Sequence, residues 1–169
     1  MAILKIYEFP HPFLRKKARK VKKIDKSIET LVADMIETMS NARGAGLAAN
    51  QVGVLRRVIA IQLPDEEMPR VYINPEIIHR EGERQVMEAC LSIPGYTGTI
   101  TRSIWVKAKG LDQSWKEVRI RAEGLFAQVL EHEVDHLNGI LYMDHLKNHE
   151  HLDKIQPDHE NALVEMGVG

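Results

Sequence analysis

The chain has 169 residues, the size of one ordinary domain, and a chain of this length buries roughly 70 % of the surface its unfolded form exposes. Apolar residues make up 44 % and charged residues 28 %, with 23 basic against 24 acidic side chains and a net charge of −1, a globular composition with no global attraction to nucleic acid or membrane. One cysteine, Cys90, excludes an internal disulfide and leaves core packing, a free thiol, metal ligation or nucleophilic catalysis.

At the start of the chain, Lys5 and Glu8 interrupt the apolar residues of positions 1–10, so no secretory leader is read there. No stretch approaches the ~20 apolar residues of a membrane span. The first serine is Ser27, unlike a serine-rich transit peptide. The expected setting is the cytoplasm, with neither a membrane nor DNA as partner. Residues 15–23, Arg-Lys-Lys-Ala-Arg-Lys-Val-Lys-Lys, form a basic run. It reads as a solvated connection or as a contact to an anionic partner such as ribosomal RNA. The run has no interleaved aromatics, so base stacking has no support.

Ile28, Leu31, Val32, Met35, Ile36 and Met39 recur at helical spacing. They predict an amphipathic helix over 27–42, capped by Asp25 or Ser27. It stops at the glycine-rich segment Gly44-Ala-Gly-Leu-Ala-Ala-Asn-Gln51. Strand-like runs follow at 58–63, bounded by Pro64, and at 71–74, bounded by Pro75. Residues 104–109 and 117–122 alternate, and Gly110-Leu-Asp-Gln113 between them predicts a hairpin. A second long helix is predicted over 124–137, ending near Asn138-Gly139. A third, weaker helix is predicted over 145–155, before Pro157. No repeat or low-complexity linker divides the chain. The expected architecture is a single α+β domain over 1–169, with 156–169 as a disordered tail. It has an N-terminal helix, a C-terminal helix, and antiparallel sheets packed around a central helix.

That central helix contains His132-Glu133-Val134-Asp135-His136, an H-E-x-x-H pattern. Residues four apart lie one above the other on a helix, so both imidazoles can reach one metal ion. Glu133 is offset around the helix, where it can serve water beside the ion without ligating. Leu125, Val129, His132 and His136 share one face, so the histidines continue an apolar stripe and point inward. A buried imidazole pair needs partners, which a metal supplies.

The third ligand is open on these grounds. A metzincin would carry a further histidine at position 142, where this chain has Tyr142. A thermolysin-like site would use a downstream glutamate, with Glu150, Glu160 and Glu165 available in a polar tail. Cys90, in Glu88-Ala-Cys-Leu-Ser92, is the remaining candidate; taken alone it also reads as a buried packing residue. His145, His149, His151 and His159 lie among charged residues and read as a solvated face.

Three ordered segments together resemble the bacterial peptide deformylases. Gly44–Gln51 is similar to that family's G-x-G-L-A-A-x-Q, Glu88–Ser92 to its E-G-C-L-S, and Glu131–Leu137 to its Q-H-E-x-D-H-L. The resemblance runs from about residue 3 to about 150. It implies a hydrolase that removes the formyl group from N-formylmethionyl nascent peptides, acting as a monomer, with the ribosome near its exit tunnel as a candidate docking partner. It also implies that Cys90, His132 and His136 hold one divalent ion, usually ferrous iron, with zinc, nickel or cobalt as substitutes. Water completes the coordination and attacks the formyl carbon, Glu133 is general base and then general acid, and Gln51 with the Leu91 N–H forms an oxyanion hole. Ala45, Gly46 and Ala89 would bind the peptide backbone, and Val86, Leu125, Gln128 and Val129 would line the methionine pocket.

Three positions depart from the family. Ala89 replaces glycine, so an ordinary β conformation is expected there. Glu131 replaces glutamine, and its effect on the metal is expected to be minor. Gln128 is expected to make the side-chain pocket more polar. Two readings compete: a metallopeptidase cutting peptide bonds, and a metal carrier without turnover.

Overall fold

The structure, a computed structural model, describes residues 1–146 and 152–155. Helix α1, Lys26–Asn41, starts where the Asp25 side chain accepts from the backbone N–H groups of Ser27 and Ile28. Its inward stripe, Ile28, Leu31, Val32, Met35 and Met39, matches the helical spacing of the sequence. Helix α2 is Gly124–Leu137. Asn138 caps its end, and Gly139 follows with φ 74°.

Among the described residues, eight strands make two antiparallel sheets. The larger has the order β1 (Gly46–Ala48), β2 (Val58–Ile61), β3 (Arg70–Glu81), β6 (Trp105–Leu111) and β7 (Glu117–Glu123). The smaller has the order β4 (Arg84–Cys90), β5 (Ile93–Arg102) and β8 (Leu152–Lys154). β6 and β7 form the expected hairpin, with Leu111 opposite Glu117. Its turn is organised by Asp112, whose side chain accepts from the N–H groups of Ser114 and Lys116.

Proline 75 was expected to end a strand, but β3 runs through it. The register with β6 shifts between Ile73 and Glu76, and Asn74 there has φ 53°. The bulge takes up the proline's missing N–H. Gly110 of β6 lies against it, where a Cβ would sit 3.2 Å from the Ile73 carbonyl oxygen.

α1 packs Met35 and Met39 on Leu47, Val58 and Ala60. α2 packs Val129, Leu130 and Leu137 on Ile59, Ile61, Val106 and Ala122. The smaller sheet has its own cluster, in which Val86, Cys90, Ile93 and Ile100 meet Leu14, Leu141 and Tyr142. The C-terminal helix expected over 145–155 is corrected. His145 closes a 3₁₀ turn, Tyr142–His145, and Leu152–Lys154 is a strand whose Thr97 and Gly98 partners on β5 supply its ladder. Residues 147–151 and the 156–169 tail lie outside the described residues.

Candidate active site

β4 alternates, with Val86, Glu88 and Cys90 buried and Gln85 and Met87 exposed. α2 presents His132 and His136 to the same place. Sγ of Cys90 lies 3.3 Å from Nε2 of His136, which lies 3.1 Å from Nε2 of His132. All three residues are buried. Metal–nitrogen and metal–sulfur bonds of about 2.0–2.3 Å give tetrahedral edges of roughly 3.3–3.6 Å, so a metal ion fits this donor set. Burial, with His132 adding to it, keeps His136 well below the usual histidine range, hence neutral with a lone pair to give. Burial also pushes the Cys90 thiol far up, with Glu133 and Glu88 adding to it. A cation entering here must displace that proton.

Behind the donors lies a chain of ions that sequence reasoning did not assign. The Glu88 carboxylate bonds Nδ1 of His132, which turns Nε2 toward Cys90 and His136. Arg102 of β5 also donates to Glu88, and it reaches Asp135 of α2 at 2.7 Å. Burial alone would raise the Glu88 carboxyl; His132 and Arg102 hold it down at about 2. His145 lies 2.8 Å from Asp135, so it is tied into this network and is no longer read as a merely solvated histidine. The signal for Glu88 was present: a charged residue at an inward position of an alternating segment.

Glu133 is fully buried, and neither of its carboxylate oxygens has a hydrogen-bond partner among the described residues. Burial raises its proton affinity well above the usual range, Glu88 adds to this, and Arg102 opposes it. The carboxylate rests on Gly46 of β1, where a Cβ would stand 2.8 Å from its Cγ and Cδ. Gln51 is held next to this group. Its Oε1 accepts from the Ala48 N–H at 2.9 Å. Its Nε2 donates to Oγ of Ser92 at 3.1 Å and points toward Sγ of Cys90 at 3.8 Å. Leu91 follows Cys90 directly and packs its side chain toward Gly44.

The glycine-rich loop, the β4 end and α2 thus meet around one donor set. The polypeptide deformylase family matches residues 3–151 of this sequence. The chain belongs to that family. A peptide deformylase of Dehalococcoides mccartyi strain BAV1 is 58 % identical over 160 residues, covering 95 % of this chain and 96 % of the relative. The crystal structure of a peptide deformylase from Legionella pneumophila is similar with a TM-score of 0.83 at 40 % identity, over 99 % of this chain and 94 % of that one. That of the Ehrlichia chaffeensis peptide deformylase in complex with actinonin has a TM-score of 0.85 at 37 % identity, over 89 % and 92 %. Family membership makes the chain a metal-dependent hydrolase with this α+β fold.

Within this deformylase-family framework, the other expected positions divide. Ala89 has no positive φ, as its β4 position requires. The Ala45 carbonyl accepts from the Gln62 N–H at 2.9 Å, so that oxygen is spent inside the protein. Val129 lies wholly in the α2 core, and Leu125 packs partly against it. Gln128 does not leave a free amide: its Nε2 donates to the Met87 carbonyl at 3.1 Å and faces Glu88 at 3.4 Å. Glu131 turns away from the donors, accepting from the Ser103 N–H at 3.0 Å and Arg80 Nε at 3.1 Å. Tyr142 stacks on His132 with ring centroids 6.3 Å apart. Glu150, Glu160 and Glu165 lie outside the described residues.

Proposed function

We propose that this chain hydrolyses the formyl amide of N-formylmethionyl peptides, releasing formate, with Glu133 moving the proton and Cys90, His132 and His136 as metal ligands. The observation that carries the reading is the buried, unpartnered Glu133 carboxylate next to three converging donors. A divalent ion held there supplies Lewis acidity, lowering the pKa of water and polarising the formyl oxygen. Glu133 takes the proton of the attacking water and delivers it to the departing amine. Its unpartnered oxygens leave it open to both transfers. Gln51, anchored through its carbonyl and by one amide N–H on Ser92, offers its other N–H, which points toward Cys90, to the forming oxyanion together with the Leu91 N–H.

β1 and β4 are edge strands of separate sheets and meet at this site, so an extended peptide can pair between them past Ala45, Gly46 and Ala89. Val86 and Leu125 line the side-chain subsite, backed by Gln128, whose amide is turned to Met87 and Glu88, and by the buried Val129. Ferrous iron is the native ion, with zinc, nickel and cobalt as substitutes. A thiolate on iron makes the site sensitive to oxidation. The reading is of a monomer acting in the cytoplasm on nascent peptides.

The test is formate release from a formyl-Met tripeptide by anaerobically purified protein, with metal analysis of the same sample. The formylated peptide is expected to react and its unformylated counterpart to stay intact, which a peptidase would reverse. Glu133→Ala is expected to reduce turnover by about 10²–10⁴-fold with metal retained. Loss of the ion instead would give Glu133 a structural role, and binding without turnover in the unaltered protein would mean a carrier.

A further inference from the structure

The basic run of residues 15–23 takes no part in the site, yet it is built as a fixed strap. Ala18 and Val21 are buried pegs at 4 % and 5 % exposure. The Ala18 N–H donates to the Leu137 carbonyl at 2.8 Å, and Asn50 Nδ2 donates to the Lys16 carbonyl at 2.6 Å. The Arg19 N–H donates to the Leu55 carbonyl and the Arg19 carbonyl accepts from the Arg57 N–H, each at 3.0 Å. Asn74 brackets Val21, donating to its carbonyl and accepting from its N–H at 2.8 Å each.

Every cation of the run is exposed. Among the described residues only Arg15 of the run has a carboxylate partner, Asp144. Two clefts flank the strap. The larger, about 390 Å³, is lined by Lys17, Lys20, Arg57 and Arg80. The smaller, about 170 Å³, is lined by Lys22, Lys23 and Arg56. Two of these cations are already held: Arg80 pairs with Glu131, and Arg57 donates to the Leu137 carbonyl and Asn138 and faces Glu76. Asp25 caps the start of α1 beside Lys23, so the cations of the clefts without an ion-pair partner or neighbouring carboxylate among the described residues are Lys17, Lys20 and Lys22 from the strap itself, with Arg56 beside them.

We propose that this strap and its two clefts are a docking track for an RNA phosphate backbone. Cations spread along a fixed nine-residue path suit a chain of phosphates better than one small anion. None of the large exposed apolar side chains lies within 15–23, so nothing on the strap would enter a lipid surface. The absence of aromatics makes the recognition one of charge, not of base. RNA as the polyanion rests on the deformylase reading, because newly made peptide ends emerge from a machine built largely of RNA. The strap's anchors Leu137 and Asn50 are the chain neighbours of His136 and Gln51, so a docked RNA holds the site close to what emerges beside it.

The experiment measures fluorescence anisotropy of a labelled oligouridylate and an RNA hairpin on the metal-loaded chain, between about 50 and 200 mM salt. A triple variant, Lys17→Gln with Lys20→Gln and Lys22→Gln, is expected to bind at least about tenfold more weakly. Its slope of log affinity against log salt should fall by about 2 for the single strand. Its turnover of a free formyl-Met tripeptide should equal that of the unaltered chain. Equal RNA affinity and slope in both proteins would overturn the proposal. So would equally tight binding of poly-glutamate of matched charge, or binding of phosphatidylglycerol vesicles in place of RNA. Missing peptide turnover with RNA binding intact would strike the functional reading alone; intact turnover without RNA binding would strike this one alone.

Discussion

The contact between Gly46 and Glu133 shows how narrow the tolerance at one residue is. A Cβ at position 46 would stand 2.8 Å from Cγ and Cδ of Glu133, closer than real Cβ contacts come. The buried carboxylate would have to move, and a misplacement of about 1 Å costs about 10²-fold in rate. Gly46→Ala is therefore expected to lower kcat about 10²-fold with metal content unchanged, measured by formate release and metal analysis together. Reading glycine 46 as a site of backbone approach for the peptide missed this second duty, since nothing in the sequence places Glu133 over it. Gln128 gives the opposite lesson. Its residue type signalled a polar pocket, but its amide donates to the Met87 carbonyl and faces Glu88. Gln128→Ile should change the kcat/KM ratio of formyl-Met to formyl-Gln peptides by less than about tenfold. It should also cost about 1–3 kcal/mol, because the Met87 carbonyl loses its donor. A larger change in the ratio would mean that the amide faces the substrate.

Among the elements, α1 and α2 were the most legible, because each carries an apolar stripe at helical period. The strands were legible where apolar and polar residues alternate, as in β6 and β7. β4 escaped because the buried member at its middle is Glu88, an ion whose partners Arg102 and His132 lie 14 and 44 residues away. β3 was cut short because a proline argues against a strand unless a bulge receives it. β8 was misread because three residues have no period to show, and only β5 makes them a strand. α1 supplies no site residue, so its packing can be weakened independently of chemistry. Met35 is completely buried, and Met35→Ala is expected to cost about 2–5 kcal/mol. The urea midpoint should fall while kcat/KM of the folded protein stays unchanged.

At the scale of the whole molecule, the donor set joins two parts that otherwise have separate cores. Cys90 belongs to the smaller sheet's cluster, while α2 packs its apolar face on the larger sheet. An ion bound to both is a cross-link of the folded state alone. At a free ion concentration 100 times Kd it adds about 2.7 kcal/mol. Chelation should then lower Tm by roughly 5–10 °C at about 2–4 °C per kcal/mol. The Cys90→Ser protein should melt low and respond little to the chelator. An unchanged Tm on metal removal would mean that the donors are already held in place by Glu88, Arg102 and Gln51.

The same division of the donors between β4 and α2 has a consequence in time. Cys90 and His136 are 46 residues apart in the chain. At about 5–20 residues per second of synthesis, the cysteine precedes its partner by roughly 2–9 s. During that interval the thiol has neither α2 to bury it nor imidazoles to share an ion with. Each new copy of this enzyme therefore passes through a brief stage in which its one cysteine is most open to oxidants, before the last turn of α2 closes over it.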